Sequence, residues 1–510
     1  MLASLKSCAI YGLDSFLVDV EVDISSGLPA FDIVGLPDTA VKESRERVRA
    51  AIKNQNFDFP VKRITLNLAP ADIKKEGPHF DLPIALGILA ATEQIPAGAL
   101  QGYSIVGELS LDGRVRPVNG VLPMVIEVKQ KNLRGIVVPF ENAEEGAVIK
   151  GIEVIGVKNL KEAVEFFKGE FKPENFKPKV QGPSLKDFEG DFSEVKGQEV
   201  LKRCLEIAAA GHHNVMMVGS PGSGKTMIAR RIPTILPSMT FEESLELTKI
   251  YSIAGLLSGT ASLIENRPFR APHHSISAVG LVGGGRVPKP GEVSLAHHGV
   301  LFLDELPEFS REILELLRQP LEDGKITIAR INATVTYPAR FMLIGAMNPC
   351  PCGYFGDPFH ECSCPPQKVH KYLSKISGPL LDRIDLQVEA SPVTFSDFEK
   401  VDSTDSATIR KRVERARAIQ LERYKGRNIF YNSQLTPAMM NTYCKLGKAE
   451  KLLMKEAFHR LKLSGRAYNR VLKVARTIAD LDQSENIKER HLAEALQYRN
   501  LDRYFQNLRF

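Results

Sequence analysis

One stretch constrains this chain more than any other: "VMMVGSPGSGKTMIARRI", starting at Val215. An apolar run suited to a buried strand ends at Gly219. A loop of Ser220, Pro221, Gly222, Ser223 and Gly224 follows, and Lys225 and Thr226 open a helix. This is the G-x-x-x-x-G-K-[ST] spacing in its required strand–loop–helix setting. Glycines let backbone N–H groups turn inward on a phosphate, and the helix N-terminus adds partial positive charge. Lys225 is placed to reach the β- and γ-phosphates, and Thr226 to ligate Mg²⁺. The spacing therefore predicts an ATP site with Mg²⁺.

Two further apolar runs complete the pattern. "GVLFLDEL" ends in Asp304 and Glu305, as a buried strand delivering carboxylates to a sheet edge would. Asp304 is expected in the Mg²⁺ shell, and Glu305 is expected to polarise the attacking water. "RFMLIGAMN" ends at Asn348, a polar tip that can orient that water. Farther on, "GPLLDRIDL" carries Arg383, and "KLSGRAYNRVLKVAR" carries Arg466, Arg470 and Arg476. Singly, such arginines are most often surface ion pairs. In this order, Arg383 and Arg466 are candidates to stabilise charge on a transferred phosphoryl group.

The rest of the 510-residue chain organises around that engine. Residues 1–167 read as a mixed α/β domain, with alternating strands such as "SFLVDVEVDIS". A Lys- and Pro-rich linker is expected over 168–191, a parallel α/β core over 192–395, and a helical lid over 396–510. The longest apolar run, "LPIALGILAA", falls short of the roughly 20 residues that span a bilayer, and no secretory signal is read at the start. Seven cysteines, an odd number, fit a reducing cytoplasm better than a disulfide framework. A net charge of +6 permits an anionic partner without requiring one.

Four of those cysteines, Cys350, Cys352, Cys362 and Cys364, fall in fifteen positions, 350 to 364, just after Asn348. Two C-x-C pairs favour a structural Zn²⁺, with free buried thiols and redox control as alternatives. The helix "ATIRKRVERARAIQLERYKGRN" is strongly basic, reading either as a solvated face or subunit contact, or as a DNA contact.

Taken together, these residues resemble AAA+ ATPases of the branch holding magnesium-chelatase motor subunits and minichromosome-maintenance helicases. "NPCPCGY" fits the Asn-Pro-x-x-Gly-x-Tyr after their sensor strand, "LLDRIDL" their arginine-finger segment, and Arg466 their second sensor. "FRAPHHSISAVGLVGGGRVPKPGEVSLAHHG" and "GKITIARINATVTYPARF" resemble their pore insertion and pre-sensor hairpin, which makes Arg286, Lys289 and Arg330 candidate DNA contacts.

The first domain is instead similar to the Lon protease domain, through "KKEGPHFDLPIALGILAA" and "VGELSLDGRVRPVNGVLPMVIEVKQKNLRGIVVP". His79 stands where the resemblance expects the nucleophilic Ser, and Leu122 where it expects the Lys, so no peptidase activity is expected. The whole chain resembles the magnesium chelatase-like family of YifB and ComM. That resemblance implies a homo-hexameric, ATP-driven DNA motor for recombination of incoming single strands, free of any membrane. A chaperone-like motor that remodels proteins is the alternative reading.

Overall fold

The computed structural model describes residues 1–96, 98–178, 190–257, 262–285, 288–330, 333–392, 395, 397, 404–427, 429–461 and 463–499. The chain divides into two compact units. One comprises residues 1–182 with 241–265, the other residues 183–240 with 266–510.

The first unit is a seven-stranded mixed sheet. Its strands are β1 (Leu2–Tyr11), β2 (Asp14–Ser25), β3 (Ala30–Val34), β4 (Arg63–Ala69), β5 (Tyr103–Ile105), β6 (Gly135–Pro139) and β7 (Glu153–Val157). The order is β3-β4-β2-β1-β5-β6-β7. β1 and β2 pair antiparallel from Leu2↔Asp23 to Tyr11↔Asp14, across a two-residue turn in which Gly12 has φ +65°. The helix Asp81–Ala91 is apolar all round and buried along nearly its whole length. It covers the sheet, where Leu82, Ile84, Leu86 and Leu89 join Val18, Val20 and Leu66 in one core.

The second unit is built on five strands, all parallel: β8 (Val215–Gly219), β9 (Phe269–Arg270), β10 (Val300–Leu303), β11 (Met342–Met347) and β12 (Leu386–Ala390). Their order is β9-β10-β11-β8-β12. β8, β10 and β11 are buried at every position. Helices cover both faces of such a sheet, so unbroken apolar runs replace alternation. This is the α/β architecture expected from the sequence, with the phosphate-loop strand β8 lying between β11 and β12.

The helix Phe241–Ala254 lies in the 192–395 stretch expected to form the core, yet it packs within the first unit. Its Leu245, together with Leu263, joins the apolar cluster of Leu122 and Val148, and its Ser252 Oγ donates to Glu145 Oε1 at 2.5 Å. The expected linker is partly ordered: Phe176 lies edge-on to Phe140, and Asp191 caps the turn Phe192–Glu194. Its positions 179–189 lie outside the described residues. The lid helices Ser406–Arg423 and Gly465–Leu481 share one core with the helix Glu199–Gly211, through Ile409, Val413, Val474, Ile478 and Leu205.

Candidate active site

At the end of β8 the chain enters the Gly-rich loop. Gly222 and Gly224 sit at φ +76° and +82°, where a side chain would strain the backbone. Lys225 is 8% exposed, and its Nζ donates to Gly219 O (2.8 Å), Ser220 O (2.9 Å), Ser223 Oγ (3.2 Å) and Asn348 Oδ1 (3.3 Å). Burial pushes its pKa down, partly offset by Asp304. A buried ammonium surrounded by neutral acceptors suits the binding of an anion.

Thr226 Oγ1 donates to Asp304 Oδ2 at 2.6 Å, and Glu305 N donates to Asp304 Oδ1 at 2.9 Å. A hydroxyl and a carboxylate in contact are the ligand types Mg²⁺ takes beside nucleotide phosphates. Glu305 adopts a left-handed backbone (φ +49°) that turns the chain off β10 and leaves its carboxylate 61% exposed. His274 Nδ1 stands 4.0 Å from that carboxylate, a neighbour that strand and motif reading missed. The His-His pair right after β9 was its only signal. Gln198, also missed, donates to Ser223 O at 3.2 Å.

The arginines behave differently. β8 and β12 pair in parallel, Val215 with Leu386 and Gly219 with Ala390. Arg383 precedes the start of β12, whereas the phosphate loop follows the end of β8. A five-residue strand, about 3.3 Å per residue, separates the two ends. Arg383 instead pairs with Glu322 and donates from Nη1 to Pro379 O at 2.7 Å. Arg466 Nη1 bonds Asp382 Oδ2 at 3.5 Å, beside Arg383. One chain thus assembles Lys225, Thr226, Asp304, Glu305 and Asn348, and carries Arg383 and Arg466 together at the other end of the sheet.

Comparison with known proteins identifies the family. Residues 191–398 match the family described as magnesium chelatase, subunit ChlI, residues 20–142 match subunit ChlI of Mg-chelatase, and residues 403–499 match the ChlI C-terminal family. Over 99% of both chains, 44% of residues are identical to competence protein ComM of Haemophilus influenzae, and also 44% to protein YifB of Escherichia coli. The chain belongs to the YifB/ComM family of magnesium chelatase-like AAA+ proteins.

In this family member about a third of the chain, 32%, is also 28% identical to Lon protease 2 of Bacillus subtilis. The two degenerate Lon positions are filled by the fold. Leu122 is fully buried, and its N–H donates to Glu145 Oε1 at 2.8 Å. His79 is buried in a short turn against Phe80, and its Nε2 has no hydrogen-bond partner among the described residues. Burial lowers its pKa to about 4.

The four clustered cysteines of this AAA+ chain converge. Cys350 Sγ lies 3.3 Å from Cys352 and 3.6 Å from Cys362, and Cys352 lies 3.5 Å from Cys362. All four sulfurs fall within 4.8 Å of one another and none is in a disulfide. A tetrahedron of sulfurs with Zn–S bonds near 2.3 Å has edges of roughly 3.8 Å, so the set fits Zn²⁺. The Tyr354 N–H, above all, draws the Cys352 thiol down to about 6.

Of the candidate DNA contacts, Lys289 is exposed on a short antiparallel pair, Gly283–Gly284 with Lys289–Pro290. Arg330 ends the strand Lys325–Arg330 and pairs through its backbone with Ala333 of the next strand. The two hairpins adjoin: Tyr337 Oη donates to Pro288 O at 2.7 Å, and Ile328 packs on Gly283. Arg286, and the side chain of Arg330, lie outside the described residues.

The basic helix Ser406–Arg423 turns its charge into the fold. Arg412 bonds Glu206 at 2.5 Å, Arg423 bonds Asp480, and Arg417 stacks on Tyr431 at 3.6 Å. Most of its basic side chains are thus engaged within the fold.

Proposed function

We propose that the protein is an ATP-hydrolysing motor that works as a closed ring of identical subunits, six by family resemblance, and moves DNA. The observation that carries this reading is the separation of Arg383 and Arg466 from the Lys225–Asp304–Glu305 cluster. An arginine supplied to a neighbour's γ-phosphate raises turnover by about 10³ to 10⁵. Held at the far end of the sheet, these two reach a phosphate only in another copy. In this reading Lys225 and the loop Gly219–Thr226 bind ATP, Thr226 and Asp304 hold Mg²⁺, Glu305 activates water and Asn348 orients it.

The DNA assignment rests on the adjoining hairpins that carry Arg286, Lys289 and Arg330. Basic hairpin tips in a ring track a phosphate backbone without reading bases, which suits a sequence-blind helicase or branch-migration motor. A relative is named competence protein ComM, which supports a role in competence, and we read that role as recombination of incoming DNA. Cys350, Cys352, Cys362 and Cys364 would hold a structural Zn²⁺, which suits the reducing cytoplasm. No helix among the described residues is long and apolar enough to cross a membrane.

ATPase turnover with single-stranded, duplex and four-way-junction DNA tests the reading, with Glu305→Gln as the inactive control. Stimulation by DNA and movement of the junction are expected. Turnover indifferent to all three would point instead to a protein substrate.

A further inference from the structure

The segment between the two cysteine pairs does not stand away from the nucleotide site; it lies on it. Asp357 is the midpoint of the contact. Its side chain is only 4% exposed. Its Oδ1 accepts the backbone N–H groups of Phe359 (2.9 Å) and His360 (3.0 Å), which fix the carboxylate in place. The Ser220 side chain faces the same carboxylate across the cavity wall and helps hold its pKa down. Beside it, Gly353 has φ +91°, and a Cβ there would come within 2.5 Å of Pro221 Cγ and Cδ. The two loops also share the walls of one small cavity, with Gly219, Ser220, Gly353, Phe355 and Asp357 among its lining.

Ser220 and Pro221 belong to the phosphate loop, and Ser220 O is one of the acceptors that place Lys225 Nζ. We propose that Asp357 is a positioning residue for the phosphate loop, so that order in the cysteine loop and affinity for nucleotide are linked. The inference rests on the nucleotide-site reading above, and not on the identity of any metal. Physically, Gly353–Asp357 is a stretch flanked by Cys350 and Cys352 on one side and Cys362 and Cys364 on the other. Anything that draws the sulfurs together holds that stretch down, and with it the Ser220 acceptor beneath Lys225. Loosening it makes nucleotide binding bear the cost of ordering both loops. Linkage is reciprocal, so bound nucleotide must hold the cysteine loop by the same factor.

The test is a titration of full-length protein with a fluorescent ADP analogue, comparing wild type with Asp357→Ala, Asp357→Asn, Ser220→Ala and the Asp357→Ala/Ser220→Ala double variant. Asp357→Ala is expected to weaken binding by about tenfold, within the usual range of coupling between sites. Asp357→Asn keeps an acceptor for Ser220 and should restore most of the affinity. The double variant should lose no more than the worse single, because both remove one contact. Affinity equal to wild type in both Asp357→Ala and Ser220→Ala overturns the proposal, as does full additivity. Metal content is measured on the same samples. Zinc-free wild type with a weakened Asp357→Ala supports the coupling and removes zinc from the reading above. Wild type that binds no nucleotide sinks the nucleotide reading, and this inference with it.

Discussion

The Arg383 guanidinium is paired in its own chain with the Glu322 carboxylate, and its Nε is buried without a hydrogen-bond partner among the described residues. Glu322 is 60% exposed, so the pair is a surface ion pair of small net worth. A neighbour's phosphate, with more charge and more acceptors, can displace it. Arg383→Ala should therefore cut turnover by about 10³-fold or more while leaving nucleotide binding intact. Mixing Arg383→Ala with Lys225→Ala subunits should restore part of the activity, because each supplies what the other's pocket lacks. A mixture as inactive as its components would place the arginine's action within one chain.

Glu305 leaves β10 through a left-handed turn that frees its carboxylate, while Asp304 stays bonded to Thr226. The two acids should separate kinetically. Glu305→Gln should lower kcat by about 10²-fold or more with little change in nucleotide affinity. Asp304→Asn should also raise the Mg²⁺ concentration needed for half-maximal turnover. Equal effects of both on binding would contradict the division of roles.

Lys289 and Arg330 occupy hairpins that brace each other through Tyr337 and Ile328. Each substitution to Ala should lower the slope of log affinity for single-stranded DNA against log salt by about one, with similar losses on unrelated sequences. A loss confined to one sequence would signal base reading instead of backbone tracking.

The cysteine tetrad predicts about one zinc per chain in protein purified without chelator. Cys362→Ser should remove it and lower the melting temperature of the second unit by roughly 5 °C or more. An unchanged metal content would leave the sulfurs as packed thiols.

His79 gives the first unit an acid sensitivity. Its pKa is about 4 in the fold and near 6.5 when unfolded, so the unfolded chain takes the proton first as pH falls. Stability is therefore whole above pH 6.5 and declines below it, by about 2 kcal/mol at pH 5. His79→Gln should flatten that decline in a melting series between pH 7 and pH 5. A decline that persists unchanged would assign the sensitivity to other groups.

The cluster of Lys225, Thr226, Asp304, Glu305 and Asn348 was legible because its pattern is local. Glycines at Gly222 and Gly224, a lysine and a threonine in fixed register, and acids closing an apolar run all state their roles within a few positions. The sheet core was legible for the same reason: "VMMVG", "VLFL" and "MLIGAM" are too apolar to lie anywhere but between helices. Basic character misled in Ser406–Arg423, since periodicity does not reveal that Glu206 and Asp480 wait more than 50 residues away to receive the charge.

The sequence by itself determined a Gly-rich strand–loop–helix opening on Lys225 and Thr226, an apolar strand closing on Asp304 and Glu305, and a Lon-like first domain with His79 and Leu122 where the resemblance expects Ser and Lys. Only the tertiary structure decided three further matters. Arg383 and Arg466 are held at the end of the sheet away from their own phosphate loop, the helix Phe241–Ala254 leaves the motor's span to pack with Leu122, and Asp357 rests on Ser220. Each is a contact between positions remote in sequence, set by strand order and burial, and short-range residue patterns carry no record of either.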